Sequence, residues 1–147
     1  MNYLAHLFLA DDTPESLVGA MLGDFVKGAA KNNYSPVIQH NIELHRRIDS
    51  FTDAHPIVRA SKTVIAPERR RFAGVLLDIF FDHYLARHWN RYSDVALDVF
   101  TANVYAALHA HHELLPERLQ RMLPFMQAEN WLGSYAQVEW VEVTLQR

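Results

Sequence analysis

Residues Leu76 to Trp89 read LLDIFFDHYLARHW. So dense an apolar run, extended upstream by RRRFAGV, has the length of a helix and predicts one buried on most sides, opened by Pro67 and Glu68. Asp78, Asp82 and His83 sit in its middle. A carboxylate buried alone is expensive to desolvate, so each must be paired, protonated or held against a cation. Asp78 and Asp82, four apart, share one side of the helix, and His83 lies about 100° further round. The competing bland arrangement is an Asp to Arg pair, with Arg46 or Arg47, and a histidine that donates to a core carbonyl.

Helical periods continue on both sides of this stretch, and strand alternation is nearly absent. TPESLVGAMLGDFVKGA offers Thr13 as N-cap and Pro14 at the first helical position, and predicts a helix ending near Gly28. Val37 to Ala54 predicts a second, with Leu44, Ile48 and Phe51 as its apolar stripe. Pro56 starts a short third helix after the break at His55. Ser93 caps a helix running to the HAHH at His109 to His112, and PERLQRMLPFMQAENWLGSYAQVEW predicts one or two helices broken near Pro124 and Gly133. The fold class expected is all-α: a single-domain helical bundle over residues 1–147.

Composition narrows the function. The 147 residues are 50% hydrophobic, enough for one core that removes roughly two thirds of the unfolded surface from water. Fourteen Lys and Arg against seventeen Asp and Glu give a net charge of -3, which does not suit a bulk nucleic-acid binder or a polybasic membrane-surface protein. Cysteine is absent, so thiolate metal sites and disulfides are excluded. MNYLAHLFLA is apolar for only about ten residues and has no basic leader, which predicts neither a secretory signal nor a membrane span. A cytoplasmic protein is expected.

The nine histidines matter by position. His45, Asp49 and Asp53 follow at intervals of four, each turned only about 40° from the last, and form a polar stripe at the border of the apolar face. Asp24 lies in GDFVKG with Lys27 three residues on, and His6 sits inside the apolar LAHLFLA, where a core histidine is the ordinary outcome. Carboxylates with imidazoles on several helices are the ligand mix of manganese, iron or magnesium. His109, His111 and His112 are expected to be solvated at a helix end.

NYLAHLFLA, LGDFVKG, LHRRIDSFTDAHP and FDHYLARHW, in this order and at these separations, resemble the acyl carrier protein phosphodiesterase family, regarded as divergent members of the HD phosphohydrolase superfamily. The resemblance covers Met1 to about Tyr135 and implies an all-α, HD-phosphohydrolase-like, manganese-dependent hydrolase. Its expected reaction removes 4'-phosphopantetheine from the serine of holo-acyl carrier protein and leaves the apo form. The usual HD order is His, then adjacent His and Asp, then a distant Asp, whereas here the adjacent pair reads Asp82 then His83 and Asp24 precedes it.

Combining residues and resemblance, Asp24, His45, Asp82 and His83 are the candidate metal ligands, for Mn2+ first with Mg2+ or Fe2+ as alternatives, and His6 is a candidate supporting residue. Asp49, Asp53, His55 and Asp78 are the candidate catalytic groups, to orient or deprotonate the attacking water or protonate the leaving serine oxygen. Lys27, Arg46 and Arg47 are candidates for the phosphate or an acidic carrier surface, and Arg69, Arg70 and Arg71 for docking the carrier protein. Two other readings remain open: an HD-type phosphohydrolase of a nucleotide or other small phosphate ester, and a non-catalytic helical module that binds a carrier protein. The chain ends at VEVTLQR, and the family resemblance predicts further residues beyond it.

Overall fold

A computed structural model describes residues 2–137 and 139. Those residues form helices joined by turns and carry no strand. The helices are α1 (Tyr3–Leu9), α2 (Pro14–Leu22), α3 (Pro36–Ala54), α4 (Pro56–Val64), α5 (Ala73–Arg87), α6 (Leu97–Ala110), α7 (Glu117–Ala128) and α8 (Trp131–Ser134). Short 3-10 helices cover Gly28–Asn33, Pro67–Phe72, Trp89–Arg91 and His112–Leu114.

Capping chemistry sets several starts. Thr13 accepts from the Ser16 amide and Ser35 from the Ile38 amide, each followed by proline at the first helical position. Helix α2 is the central element, packed against α1, α3 and α6, with Leu17, Val18, Met21 and Leu22 almost fully buried. On α7, Leu119, Leu123 and Met126 recur at helical spacing and are completely buried against the same core. Burial of each such side chain contributes about 1.5 to 3 kcal/mol. A smaller cluster of Leu4, Ile79, Ala86, Trp89 and Tyr135 joins α1 to α5.

Several boundaries differ from the sequence expectation. Helix α2 stops at Leu22 instead of near Gly28, because the chain turns at Gly23 and Asp24, where the Phe25 and Val26 amides both donate to the Leu22 carbonyl. Ser93 caps no helix; its hydroxyl accepts from the Val95 amide in a turn, and α6 begins four residues later at Leu97. Helix α7 runs through Pro124, which lies on its exposed side where a carbonyl released from the ladder can turn to water. The break comes at Asn130, whose φ of 44° is left-handed. The segment VEVTLQR lies outside the described residues.

Two helices are rotated relative to expectation. Helix α5 is buried on one side only: Ala73, Ile79, Asp82 and Ala86 are inside, while Val75, Phe80 and Tyr84 are about half or more exposed. In α3 the buried residues are Ile38, Asn41, Ile42 and His45, and Phe51 of the expected apolar stripe is 69% exposed. For α3 the cause lies in α2 and its C-terminal cap, Gly23. Added Cβ atoms at Gly19 and Gly23 would fall 2.6 Å from the Asn41 Cβ and 2.1 Å from the His45 Cγ. The two glycines admit α3 at that face, so a polar residue is carried inward.

Candidate functional site

Helix α1 has seven residues and receives no side-chain cap from Asn2, so its first amide protons need an acceptor from elsewhere. Asp82 of α5 supplies it. The Leu4 N–H donates to Asp82 Oδ2 at 2.8 Å and the Ala5 N–H to Oδ1 at 2.9 Å. This carboxylate is fully buried and acts as the cap that α1 lacks, from 78 residues away in sequence. Burial nonetheless pushes Asp82 up to about 7, with the two backbone donors opposing the rise and the nearby Asp78 charge adding to it. Anchoring Leu4 and Ala5 fixes the following residue, His6, against α3.

There four side chains from three places in the chain converge. The His45 Nδ1–H donates to the Ala20 carbonyl at 2.7 Å. That bond turns Nε2 toward Asp24 Oδ1 at 3.1 Å and Asp49 Oδ2 at 3.5 Å. His6 Nε2 lies 2.9 Å from Asp49 Oδ1, and the two imidazoles stack with centroids 3.4 Å apart and planes 7° from parallel. Ligand atoms of His6, His45 and Asp49 all fall within 4.8 Å of one another.

Both imidazoles are about 1% exposed, whereas Asp49 is 38% and Asp24 43% exposed, so the histidines form the inner wall and the carboxylates the mouth. Burial raises the Asp49 carboxyl, but the hydrogen bond from His6 and the charges of His6 and His45 outweigh it and hold the group below the usual carboxylate range. Asp49 is therefore an anion at neutral pH. Carboxylate oxygens of Asp24 and Asp49 at 3.1 and 3.5 Å from the His45 Nε2 crowd negative charge at one point unless a proton on Nε2 or a cation lies among them. Hard oxygens with imidazole nitrogens fit a divalent cation such as Mn2+, Fe2+ or Mg2+, with the open carboxylate side left for water or a phosphate.

The expected ligand set is thus divided. Asp24 and His45 meet as expected, but Asp82 and His83 do not join them. Asp82 is committed to α1, and the His83 Nδ1–H donates to the Tyr135 carbonyl at 2.6 Å, tying α5 to the end of α8. Asp78 is half-buried, and its charge acts on Asp82. Of the expected catalytic groups, Asp49 sits among the ligand atoms. Asp53 is 68% exposed, 4.0 Å from Lys62, and His55 caps α4 by accepting from the Ile57 amide at 3.2 Å.

The cations are also redistributed. Arg46 donates to the Val26 and Gly28 carbonyls and so clamps the segment after Asp24. Arg47, two residues from both His45 and Asp49, projects about 200° round α3 from each and is exposed. Lys27 follows the end of α2 instead of sharing a helix face with Asp24. Arg69, Arg70 and Arg71 are exposed on the 3-10 helix before α5; Arg70 reaches the Ile65 and Thr63 carbonyls, and Arg71 covers the Phe72 ring.

His6 is the residue whose place the sequence understated. Its flanks from Leu4 to Ala10 are apolar, so no local periodicity marks it as more than a core histidine. Only contact across 43 residues with Asp49 does so.

The sequence profile described as acyl carrier protein phosphodiesterase matches residues 1–147. Relatives of that name include one from Serratia proteamaculans, 39% identical over 96% of this chain and 74% of its own length. Others come from Yersinia enterocolitica, 37% identical over 99% of this chain and 76% of the relative, and Pectobacterium atrosepticum, 36% identical over 100% and 77%. No solved structure matches the chain. The profile spanning every residue, together with relatives above 35% identity across nearly the whole chain, establishes that this chain belongs to the acyl carrier protein phosphodiesterase family.

Proposed function

We propose that this protein is a divalent-cation-dependent phosphodiesterase that releases 4'-phosphopantetheine from the serine of holo-acyl carrier protein, with manganese as its first cation and magnesium or iron as alternatives. The observation that carries the reading is the convergence of His6, His45, Asp49 and Asp24 at a site closed by imidazoles and open at carboxylates. His6, His45 and Asp49 would hold the cation, with Asp24 at the rim. When bound, the cation supplies Lewis acidity toward a phosphoryl oxygen and toward water.

The chain's own residues do the rest. The Ala20 carbonyl holds the His45 ring in one orientation, and stacking on His6 prevents it from turning. Without the cation, Asp49 Oδ1 orients His6 by accepting from its Nε2–H, a proton that must leave for that nitrogen to hold the cation. Asp24 and Asp49 alone in the cluster reach solvent, so they are the groups placed to take a proton from the water that attacks phosphorus. Their negative charge repels a phosphodiester unless it is neutralised, which is the reason the reaction needs the cation. The HD-type arrangement of His and Asp belongs to the same proposal. Arg69, Arg70 and Arg71 form a basic rim on a chain of net charge -3 and are the proposed contact for the acidic carrier protein.

Incubation with holo-acyl carrier protein and Mn2+, followed by intact-mass measurement, tests the reaction: the carrier should lose one phosphopantetheine. Hydrolysis of a nucleotide or another small phosphate ester, with the holo carrier left intact, would support the small-ester phosphohydrolase. Binding of carrier protein with neither hydrolysis nor uptake of Mn2+ would support the non-catalytic module.

A further inference from the structure

We infer that Gly23 is a positioning residue for His45, and that its missing side chain is what lets the imidazole stand between Asp24 and Asp49. The backbone does not require glycine there: φ is -53° and ψ -32°, right-handed helical values that alanine adopts more readily. The requirement is steric. A Cβ at Gly23 would lie 2.1 Å from the His45 Cγ, 2.5 Å from its Cβ and 2.6 Å from its Cδ2. Restoring even a 3.4 Å contact moves the ring by about 1.3 Å. The ring has no room to yield in place, because it is stacked on His6 at 3.4 Å and bonded to the Ala20 carbonyl at 2.7 Å. Displacement therefore changes the placement of Nε2 between the two carboxylates, and metal ligation tolerates only about 0.2 Å of misplacement.

Gly19 provides the matched control. A Cβ there meets the Asn41 Cβ at 2.6 Å and the Ile38 carbonyl oxygen at 2.7 Å, in the same contact between α2 and α3 but away from His45. Both Gly19→Ala and Gly23→Ala should lower the urea midpoint.

Three readings separate positioning from packing. In the NMR spectrum of the metal-free protein, Gly23→Ala should shift or lose the His45 Nδ1–H resonance, and Gly19→Ala should keep it. By calorimetry, Mn2+ binding should weaken at least about tenfold in Gly23→Ala and change less than about twofold in Gly19→Ala. In a His45→Gly background, where the ring and the Cβ at 2.5 Å are both gone, Gly23→Ala should no longer lower the urea midpoint; rescue of a Gly23→Ala chain that fails to fold alone would support the inference equally. An equal loss of midpoint in both backgrounds, an unshifted His45 resonance in Gly23→Ala, or equal Mn2+ loss in the two glycine variants would overturn it. The Mn2+ measurement rests on the cation reading above. If the wild type takes up no Mn2+, that reading fails, while the resonance and the double-variant comparison still decide the role of Gly23.

Discussion

Asp82 should make this protein less stable as pH rises through neutrality, and Asp82→Asn should abolish that dependence. The carboxylate is fully buried, and burial carries it from an ordinary 3.8 to about 7 even with two backbone donors favouring its ionised form. For a group raised on folding, the stabilising contribution is complete below the unfolded value and is lost as pH climbs through the folded one. The loss window thus runs from about 4 to just above 7. At about 1.4 kcal/mol per pH unit, the ceiling is about 4 kcal/mol, reduced by any water that reaches the site. Asn at position 82 cannot titrate, and its Nδ2 must face one of the two amide protons from Leu4 and Ala5, which costs about 1 to 3 kcal/mol. Urea unfolding of both proteins from pH 5 to 8.5 reads the difference. The wild type should exceed Asp82→Asn at pH 5, and the gap should narrow or reverse by pH 8.5. Asp49 does not interfere, because its lowered carboxyl loses stability only as pH falls below the ordinary 3.8. A gap constant across the range would refute the argument, since it would mean that Asp82 does not change ionisation between folded and unfolded chains in that window.

His45→Ala and Asp49→Asn should each weaken Mn2+ binding by at least about a hundredfold in calorimetric titration, since each removes an atom from a cluster confined within 4.8 Å. Full affinity in either variant would place the cation elsewhere. Replacing Arg69, Arg70 and Arg71 together with Glu should lower kcat/KM on holo-acyl carrier protein about tenfold or more at low salt and less at high salt, and should leave a small phosphodiester unaffected; steady-state kinetics on both substrates at two ionic strengths checks this. Arg46→Ala should cost about 0.5 to 1.5 kcal/mol in urea unfolding, because it strips a part-buried donor from the Val26 carbonyl and an exposed one from Gly28.

Fold class was legible because it rests on local information. Apolar spacing, Thr13 before Pro14, Pro56 after the break at His55, and the absence of alternation act within a few residues, and they place the starts of α2, α3 and α4 to within a residue of where they form. The sequence also held the ingredients of the site: Asp24, His45 and Asp49 stand out by residue type and spacing, and the motifs around them carry the family resemblance. Rotation of α3 was not legible. Leu44, Ile48 and Phe51 outrank His45 in hydrophobicity, yet His45 is buried and Phe51 exposed, because the absence of side chains at Gly19 and Gly23 on another helix decides which face can approach. The same holds for Asp82. Local pattern marks a carboxylate in an apolar helix as needing compensation, and either a cation or a helix end supplies it. Which of the two operates depends on a contact between residues 78 apart, where the uncapped amides of α1 take the carboxylate and leave the imidazole of His6 to face Asp49. Periodicity reports neighbours one turn away, so the sequence determined the helices and their chemistry, and only tertiary packing decided which acids and histidines share a site.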